Sequence, residues 1–396
     1  MKVCLVAQIE NWRGGIQQYS QNYAENLSTK TDVSVIGYKS FFPKFLYPGK
    51  QYCNIEDCRK LKKNISIHNI LKYYSIFSSF KAYQTIRSRI NADVVDIQWC
   101  TTFHAIILIP LAFMIKKFSQ ISLVTTVHNV LPHELKFYDQ YICKIMYNLS
   151  DKLVVHSQKM QDDLTSIFHI KNNKIAQIPH GICIKPSNKY TKDEAKNILG
   201  IKQNKVILYF GFVREYKGLD DLLYAFSDVV FEYDVALLIA GDFLDDKSKY
   251  DQIIAELGIS DSIHLHAKYI KDEEVSKYFA AADFLVEPYK YFMGQSGVPP
   301  TAYYYSKPII ATNVGGLPEI VRDGYTGAVV EPRNVSQLAQ SMRYFLSNPN
   351  TVELYGSHGR LFWENELSWS SISQKMLRVY EETLNDYKLN PERRGS

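Results

Sequence analysis

Short apolar runs alternate with amphipathic stretches along the whole chain. In the first half the runs predict strands near Lys2–Ala7, Asp32–Gly37, Val94–Gln98, Leu123–His128, Lys152–His156 and Ile175–Pro179. In the second half they recur at Lys205–Phe210, Val235–Ala240, Ile263–His266, Phe284–Glu287, Pro308–Thr312 and Gly327–Val330. Between them lie helical spacings such as Ile16, Tyr19, Tyr23 and Leu27, and Ser157 stands where an N-cap belongs ahead of Gln158-Lys159-Met160. Short strands separated by helices are the pattern of βαβ units and parallel sheets. The polar stretch Lys185–Asn197, which holds Pro186, separates the two sets and reads as an interdomain link. The expected fold class is therefore α/β, with two doubly wound, Rossmann-like domains facing a cleft, because such sheets bind ligands beyond the carboxyl ends of their strands. The expected domains are 1–184 and 185–370, with a C-terminal helix at 371–389 free to pack back on the first.

Length and composition agree with two cores, since 396 residues exceed one ordinary domain. The longest apolar segment, Ala105–Ile115, carries Pro110 and falls well short of the roughly 20 residues a spanning helix needs, so it reads as a buried helix. The opening MKVCLVAQIE reads as a first strand, not a signal peptide. Cys4, Cys53, Cys58, Cys100, Cys143 and Cys183 are scattered without a CxxC pair, which suits reduced cytosolic thiols and no metal centre.

Charge changes the picture. The net +5 hides +11 in residues 1–185 against −6 in 186–396. Within the basic half, Cys58–Ala92 holds Arg59, Lys60, Lys62, Lys63, Lys72, Lys81, Arg87 and Arg89, no acid, and interleaved Tyr73, Tyr74, Phe77, Phe80 and Tyr83. Two readings fit: a segment that meets an anionic surface, or a solvated helix pair with a core-facing aromatic stripe. No nucleic-acid-binding motif accompanies it, so an anionic membrane surface is the expected partner and nucleic acid is not.

Candidate chemistry gathers where strands break into glycine-bearing loops. One such place is FGFVREYKG, Phe210–Gly218, ahead of a leucine-rich helix; another is KPIIATNVGGLPEIVRDGYTGAVVEP, Lys307–Pro332. Loops of this kind set backbone N–H groups at a helix N-terminus, where phosphate is a natural ligand. Arg214 and Lys217 stand just ahead of a helix and oppose its dipole, which favours an anion such as a diphosphate between them. Gly14-Gly15 follows the first strand, where a missing Cβ lets backbone approach a ligand, although an ordinary βα turn fits too.

In order along the chain stand Gly14-Gly15, His128, Pro179-His180-Gly181, Arg214 with Lys217-Gly218, LIAGD at Leu238–Asp242, Gly297 with Pro299, and GGLPEI at Gly315–Ile320. This series resembles the retaining, GT-B-fold glycosyltransferases grouped as family 4, over nearly the whole chain and most closely in GGLPEIVRDGYTGAVV. The resemblance implies transfer of a sugar from a nucleotide-sugar donor to a glycan acceptor, one that is lipid-linked, in surface polysaccharide or glycolipid biosynthesis. It implies no cofactor, no metal, and a cytoplasmic enzyme peripheral on the inner face of the membrane. Carried onto this sequence, the catalytic residues are His128, Arg214 and Lys217. The donor-binding residues are Gly15, Tyr269, Ile270, Gln295, Ser296, Gly297, Val298 and Glu319, and the acceptor-binding residues are Gly14, His133 and Glu134. Tyr269-Ile270 fits a buried strand end equally well, and His133-Glu134 fits surface capping. His180 is expected to shape the hinge.

The family's paired glutamates are missing, since Gly294 and Ala302 occupy their positions. Glu287 falls on the preceding strand and does not restore the motif; Gln295 or Ser296 would supply the lost hydrogen bonds to the donor. Two alternatives follow: a catalytically impaired GT-B scaffold or partner protein, and a sugar epimerase or phosphorylase on the same fold.

Overall fold

In a computed structural model, which describes residues 1–9, 15–41, 61, 64–132, 136–181, 189–291 and 296–389, the chain forms two compact units. Unit 1 comprises Met1–Cys183 and Trp369–Ser396, and unit 2 comprises Ile184–Ser368.

The first part of unit 1 runs β1 (Lys2–Val6), α1 (Gly15–Leu27), β2 (Asp32–Ser40), β3 (Ser66–Lys72), α2 (Ile76–Gln84), β4 (Val94–Trp99) and α3 (Ala105–Phe118). It continues with β5 (Ser122–Val127), α4 (Asp139–Leu149), β6 (Lys152–Val155), α5 (Gln158–Phe168) and β7 (Ile175–Gln177). The seven strands form one parallel sheet in the order β3-β2-β1-β4-β5-β6-β7. Every residue of β4 and β5 is buried, as a sheet covered by helices on both faces requires. Ser157 caps α5 by accepting from the Met160 amide.

Strand β3 lies inside the basic segment, one of whose two sequence-based readings is a solvated helix pair. Ile67, Ile70 and Leu71 fall at helical spacing, and an irregular register against β2 absorbs that spacing: Gly37 faces Asn69 while Tyr38 faces Leu71. Pairing with β2 overrides the local pattern.

Unit 2 runs α6 (Lys192–Leu199), β8 (Lys205–Phe210), α7 (Leu219–Ser227), β9 (Val235–Gly241), α8 (Ser248–Glu256), β10 (Ile263–Ala267) and α9 (Asp272–Ala281). It continues with β11 (Phe284–Glu287), α10 (Pro299–Tyr304), β12 (Ile309–Thr312), α11 (Leu317–Ile320), β13 (Gly327–Val330), α12 (Val335–Ser347) and α13 (Pro349–Phe362). Its six strands are parallel, in the order β10-β9-β8-β11-β12-β13, so the strand order reverses between β8 and β11. The polar stretch read as a link is helical from Lys192 onward, started by a capping box between Thr191 and Glu194.

The last helix, α14 (Trp369–Leu389), belongs to unit 1. Tyr380 donates to the Asp96 carboxylate on β4 at 2.7 Å and meets the Tyr23 hydroxyl on α1. At its start, Trp369 packs on Tyr19 with ring centroids 5.1 Å apart. A Cβ on Gly181 would fall 2.8 Å from the Trp369 ring, so glycine there lets the helix dock.

Candidate functional site

The reversal point of the second sheet is where an open α/β sheet binds its ligands. Beyond the end of β8 the chain passes Gly211, reaches Arg214, makes one tight turn over Glu215–Lys217 and enters α7 through Gly218. Gly218 has φ +68, and a Cβ on it would sit 2.0 Å from the Pro288 carbonyl oxygen. The Lys290 amide donates to the Tyr216 carbonyl at 2.7 Å. Glycine thus lets the loop after β8 lie directly on the segment after β11, and Lys217 comes beside Glu287.

Lys217 is half-buried, with its Nζ 5.1 Å from the Tyr289 ring centroid. Burial pushes its ammonium down to about 8; the negative charge of Glu287 opposes that shift and Arg214 adds to it. Arg214 is exposed, and among the described residues no ion pair engages either cation. Glu287 is buried at the end of β11, and burial raises its carboxyl above the usual range while Lys217, Ser296 and Tyr289 oppose the rise. Its Oε1 accepts from Ser296 at 2.8 Å and from Tyr289 at 2.9 Å. Its Oε2 is buried with no hydrogen-bond partner among the described residues. The arrangement can hold a polyanion against two cations and offers one buried carboxylate oxygen to a hydroxyl donor.

The α7 dipole contributes less to this site than the sequence suggests. Asp220 and Asp221 already occupy its first turn, and Asp220 binds Lys290 at 2.7 Å and Lys249 at 3.1 Å. The Ser296 hydroxyl is committed to Glu287, and the Val298 amide donates to Ser296 Oγ at 3.3 Å. Gly297 and Val298 lie just before α10, and Val298 flanks Gly211. Half-buried Tyr269 and buried Ile270 follow β10, and Tyr269 faces Phe212 of the Arg214 loop at 6.3 Å between centroids. Glu319 sits in α11 after β12, on the same edge of the sheet, behind Gly315 at φ +55. Ala302 is fully buried in α10. Gln295 and Gly294 lie outside the described residues.

Unit 1 holds the remaining candidates. Gly15 opens α1, exposed, and a Cβ on it would meet nothing within 4 Å, so packing does not demand glycine there. Gly14, His133 and Glu134 lie outside the described residues. His128 follows β5, buried, and donates from Nε2 to Gln98 Oε1 at 2.9 Å. It belongs to a group that the sequence reading did not assemble. The His128 ring lies 5.2 Å from His156 and 6.4 Å from His180, and Tyr19 contacts all three. Burial holds all three imidazoles neutral: His128 well below its usual value, His156 down to about 4 and His180 down to about 3. The signal was present, because β5, β6 and β7 are each followed within three residues by a histidine. Glu287 was the other omission. Among the described residues no group of three or more His, Cys, Asp or Glu could hold a metal ion.

Two family patterns match the chain: Glycosyl transferases group 1 over residues 191–362 and Glycosyltransferase Family 4 over residues 13–185. The chain belongs to the GT-B glycosyltransferases. It is 28% identical over 242 residues to the MMP alpha-(1->4)-mannosyltransferase of Mycolicibacterium hassiacum, covering 61% of this chain and 56% of that protein. The chain therefore spans just over half the length of that relative. It is 25% identical over 393 residues to an uncharacterized glycosyltransferase of Methanocaldococcus jannaschii, covering 96% and 98% of the two chains. The structure of Anabaena HepE, solved in complex with UDP, superposes with a TM-score of 0.74 at 18% identity, covering 96% of this chain and all of that one. This likeness establishes the GT-B fold.

Proposed function

We propose that this glycosyltransferase moves a sugar from a nucleotide-sugar donor onto a glycan acceptor, one that is lipid-linked, in surface polysaccharide or glycolipid assembly. The observation that carries the reading is the half-buried Lys217 ammonium, free of any described ion pair, beside Arg214 at the reversal point of the unit 2 sheet. A diphosphate would offset the desolvation of that lysine. As the bond to the sugar breaks, charge grows on the leaving diphosphate, and Arg214 and Lys217 stand where they compensate it. One such donor is worth about 2.7–4 kcal/mol in a comparable site. HepE has been solved with UDP and with UDP-glucose, which supports a nucleotide-sugar donor here. In this reading the anomeric configuration is retained and no metal takes part, the two cations serving in its place. His128, anchored by Gln98, positions the donor sugar.

The acceptor side of the proposal rests on unit 1. Ser79 of α2 donates to the Ile107 carbonyl of α3 at 2.7 Å, which joins the two helices. Phe77, Phe80, Phe113 and Phe118 project from them into solvent, and α4 adds Tyr141. Lys81, Arg87 and Arg89 follow on the same segment. Exposed aromatics with cations suit an anionic membrane face at the cytoplasmic side. Among the described residues no helix is long and apolar enough to cross a membrane.

The direct experiment is a thermal-shift panel of nucleoside diphosphates and their sugars. A true donor raises stability by about 2.7 kcal/mol at one hundred times its dissociation constant. No shift with any common base at millimolar concentration favours the scaffold reading, which the loss of a carboxylate at Ala302 motivates.

A further inference from the structure

Unit 2 contains a concave site that the donor reading leaves unused. A cavity of about 410 Å³ is walled by the start of α6, by α9, by the end of α10 and by α13. Lys189, Lys192, Lys307 and Arg360 line it with Tyr190 and Ser306, and no carboxylate is among its lining residues. Lys307 lies just before β12, whereas Arg214 and Lys217 lie just after β8. In a parallel sheet these are opposite ends, so the cavity is separate from the candidate donor site.

Its wall is held in place. The Arg360 guanidinium lies 4.6 Å over Tyr304 and 4.8 Å over Trp363, and its Nε donates to Glu364 at 2.8 Å. Ser306 has φ +54, and a Cβ on Gly356 of α13 would fall 2.1 Å from its carbonyl oxygen. Glycine at 356 therefore lets α13 press on the turn that carries Lys307. Lys192 is paired with Asp283 at 2.6 Å. Lys189 and Lys307 have no ion pair among the described residues. Lys307 is half-buried, and burial pushes its ammonium down to about 8 despite the nearby Asp283. A desolvated, unpaired ammonium is unfavourable unless something anionic joins it.

We propose that this cavity binds a small soluble anion bearing phosphate, a phosphate ester or a diphosphate, independently of the donor site. Lys189 and Lys307, without an ion pair among the described residues, supply the charge, and the Ser306 and Tyr190 hydroxyls supply neutral donors to the remaining oxygens. The cavity volume lies within the range of small-ligand sites.

Calorimetric titration of inorganic pyrophosphate into the full chain tests this, using Lys189→Met/Lys307→Met and Arg214→Ala/Lys217→Ala as the two variants. The unaltered chain should show two binding events. The cavity variant should lose one and keep the other, and the donor-side variant should do the reverse. The cavity event should weaken by up to about tenfold between pH 7 and pH 9, as Lys307 gives up its proton. If Lys307→Met impairs folding, exposed Lys189→Met alone should weaken the event about tenfold. Pyrophosphate binding of unchanged number and affinity in the cavity variants, or none in the donor-side variant, overturns the proposal. If the cavity variant loses its event while the donor-side variant binds as the unaltered chain does, the cavity stands and the donor assignment falls.

Discussion

Ser296 donates its hydroxyl proton to Glu287 at 2.8 Å, which ties the loop ahead of α10 to the end of β11. The same carboxyl is coupled to Lys217: the lysine lowers the carboxyl's pKa, and the carboxylate raises the lysine's. The candidate site thus holds a buried carboxylate, that of Glu287.

That coupling gives a pH test. Lys217 must be protonated to serve a diphosphate, so kcat/KM should fall as pH rises through about 8. Glu287→Gln removes the negative charge that keeps Lys217 protonated, so the alkaline limb should move to lower pH. A limb that stays in place in a folded Glu287→Gln variant would separate Glu287 from the chemistry.

Lys217→Ala should lower turnover by about a hundredfold to a thousandfold, the scale of one lost charge-stabilising donor. It should also weaken nucleoside diphosphate binding while the protein stays folded, since among the described residues Lys217 makes no direct ion pair and buried Glu287 keeps its hydrogen bonds to Ser296 and Tyr289. Steady-state kinetics and calorimetry on the same preparation check this. Unchanged kinetics would remove Lys217 from the site.

Strand positions were legible because buried parallel strands such as β8 and β9 read as apolar runs that break at Gly211 and Gly241. Strand β3 was hidden because Ile67, Ile70 and Leu71 sit at helical spacing and only pairing with β2 makes them a strand. Glu287 was set aside because it falls on the preceding strand, and the sequence does not reveal the packing of Gly218 on Pro288 that brings Lys217 beside it. The three histidines are spread from 128 to 180, and only adjacency of β5, β6 and β7 unites them. Motif residues are local in sequence; coupling between them is a property of the sheet.

The histidine group should make unit 1 acid-sensitive. Folded-state pKa values below 6.5 mean that unfolding takes up protons, so stability rises with pH from the folded values to about 6.5. His156 and His180 are each displaced enough to cost about 3–5 kcal/mol in full at low pH, at about 1.4 kcal/mol per unit. Asp96, pushed up to about 6 by burial, works in the opposite direction between 3.8 and about 6. Three groups outweigh one, so the melting temperature should drop between pH 7 and pH 4.5. His156→Gln should flatten that drop and Asp96→Asn should steepen it. A profile that is level across this range would contradict the burial of neutral imidazoles.

Exposed aromatics on α2 give a membrane test that does not touch the fold. Phe77 is 83% and Phe80 52% exposed, so Phe77→Ser/Phe80→Ser should leave the melting temperature nearly unchanged. Binding of the parent to vesicles should require anionic lipid and weaken with salt, as screening shortens the reach of Lys81, Arg87 and Arg89 to about 8–10 Å. The double variant should release protein to the soluble fraction. Equal binding to neutral vesicles would count against the surface. Lys60, Lys62 and Lys63, which prompt the same expectation, lie outside the described residues.

The choice between enzyme and scaffold turns on donor affinity. Ala302 offers no carboxylate to ribose hydroxyls, and one lost hydrogen bond to a charged group costs roughly 1.5–3 kcal/mol, about ten- to a hundredfold. The donor Michaelis constant should therefore be high, in a protein that nonetheless turns over. In the proposed donor site the nucleotide then depends more on its base and diphosphate, with Tyr269, which faces Phe212, proposed for the base and Lys217 with Arg214 for the diphosphate. Tyr269→Ala should weaken nucleoside diphosphate binding about two- to tenfold, because stacking on an aromatic face is worth about 0.5–1.5 kcal/mol beyond area burial. It should leave binding of inorganic pyrophosphate unchanged, since that probe has no base to stack. Equal losses for both probes would show that Tyr269 acts through the loop's structure. Absence of binding by any nucleotide sugar at millimolar concentration, with Lys217 intact, would favour a scaffold that has kept the fold and lost the transfer.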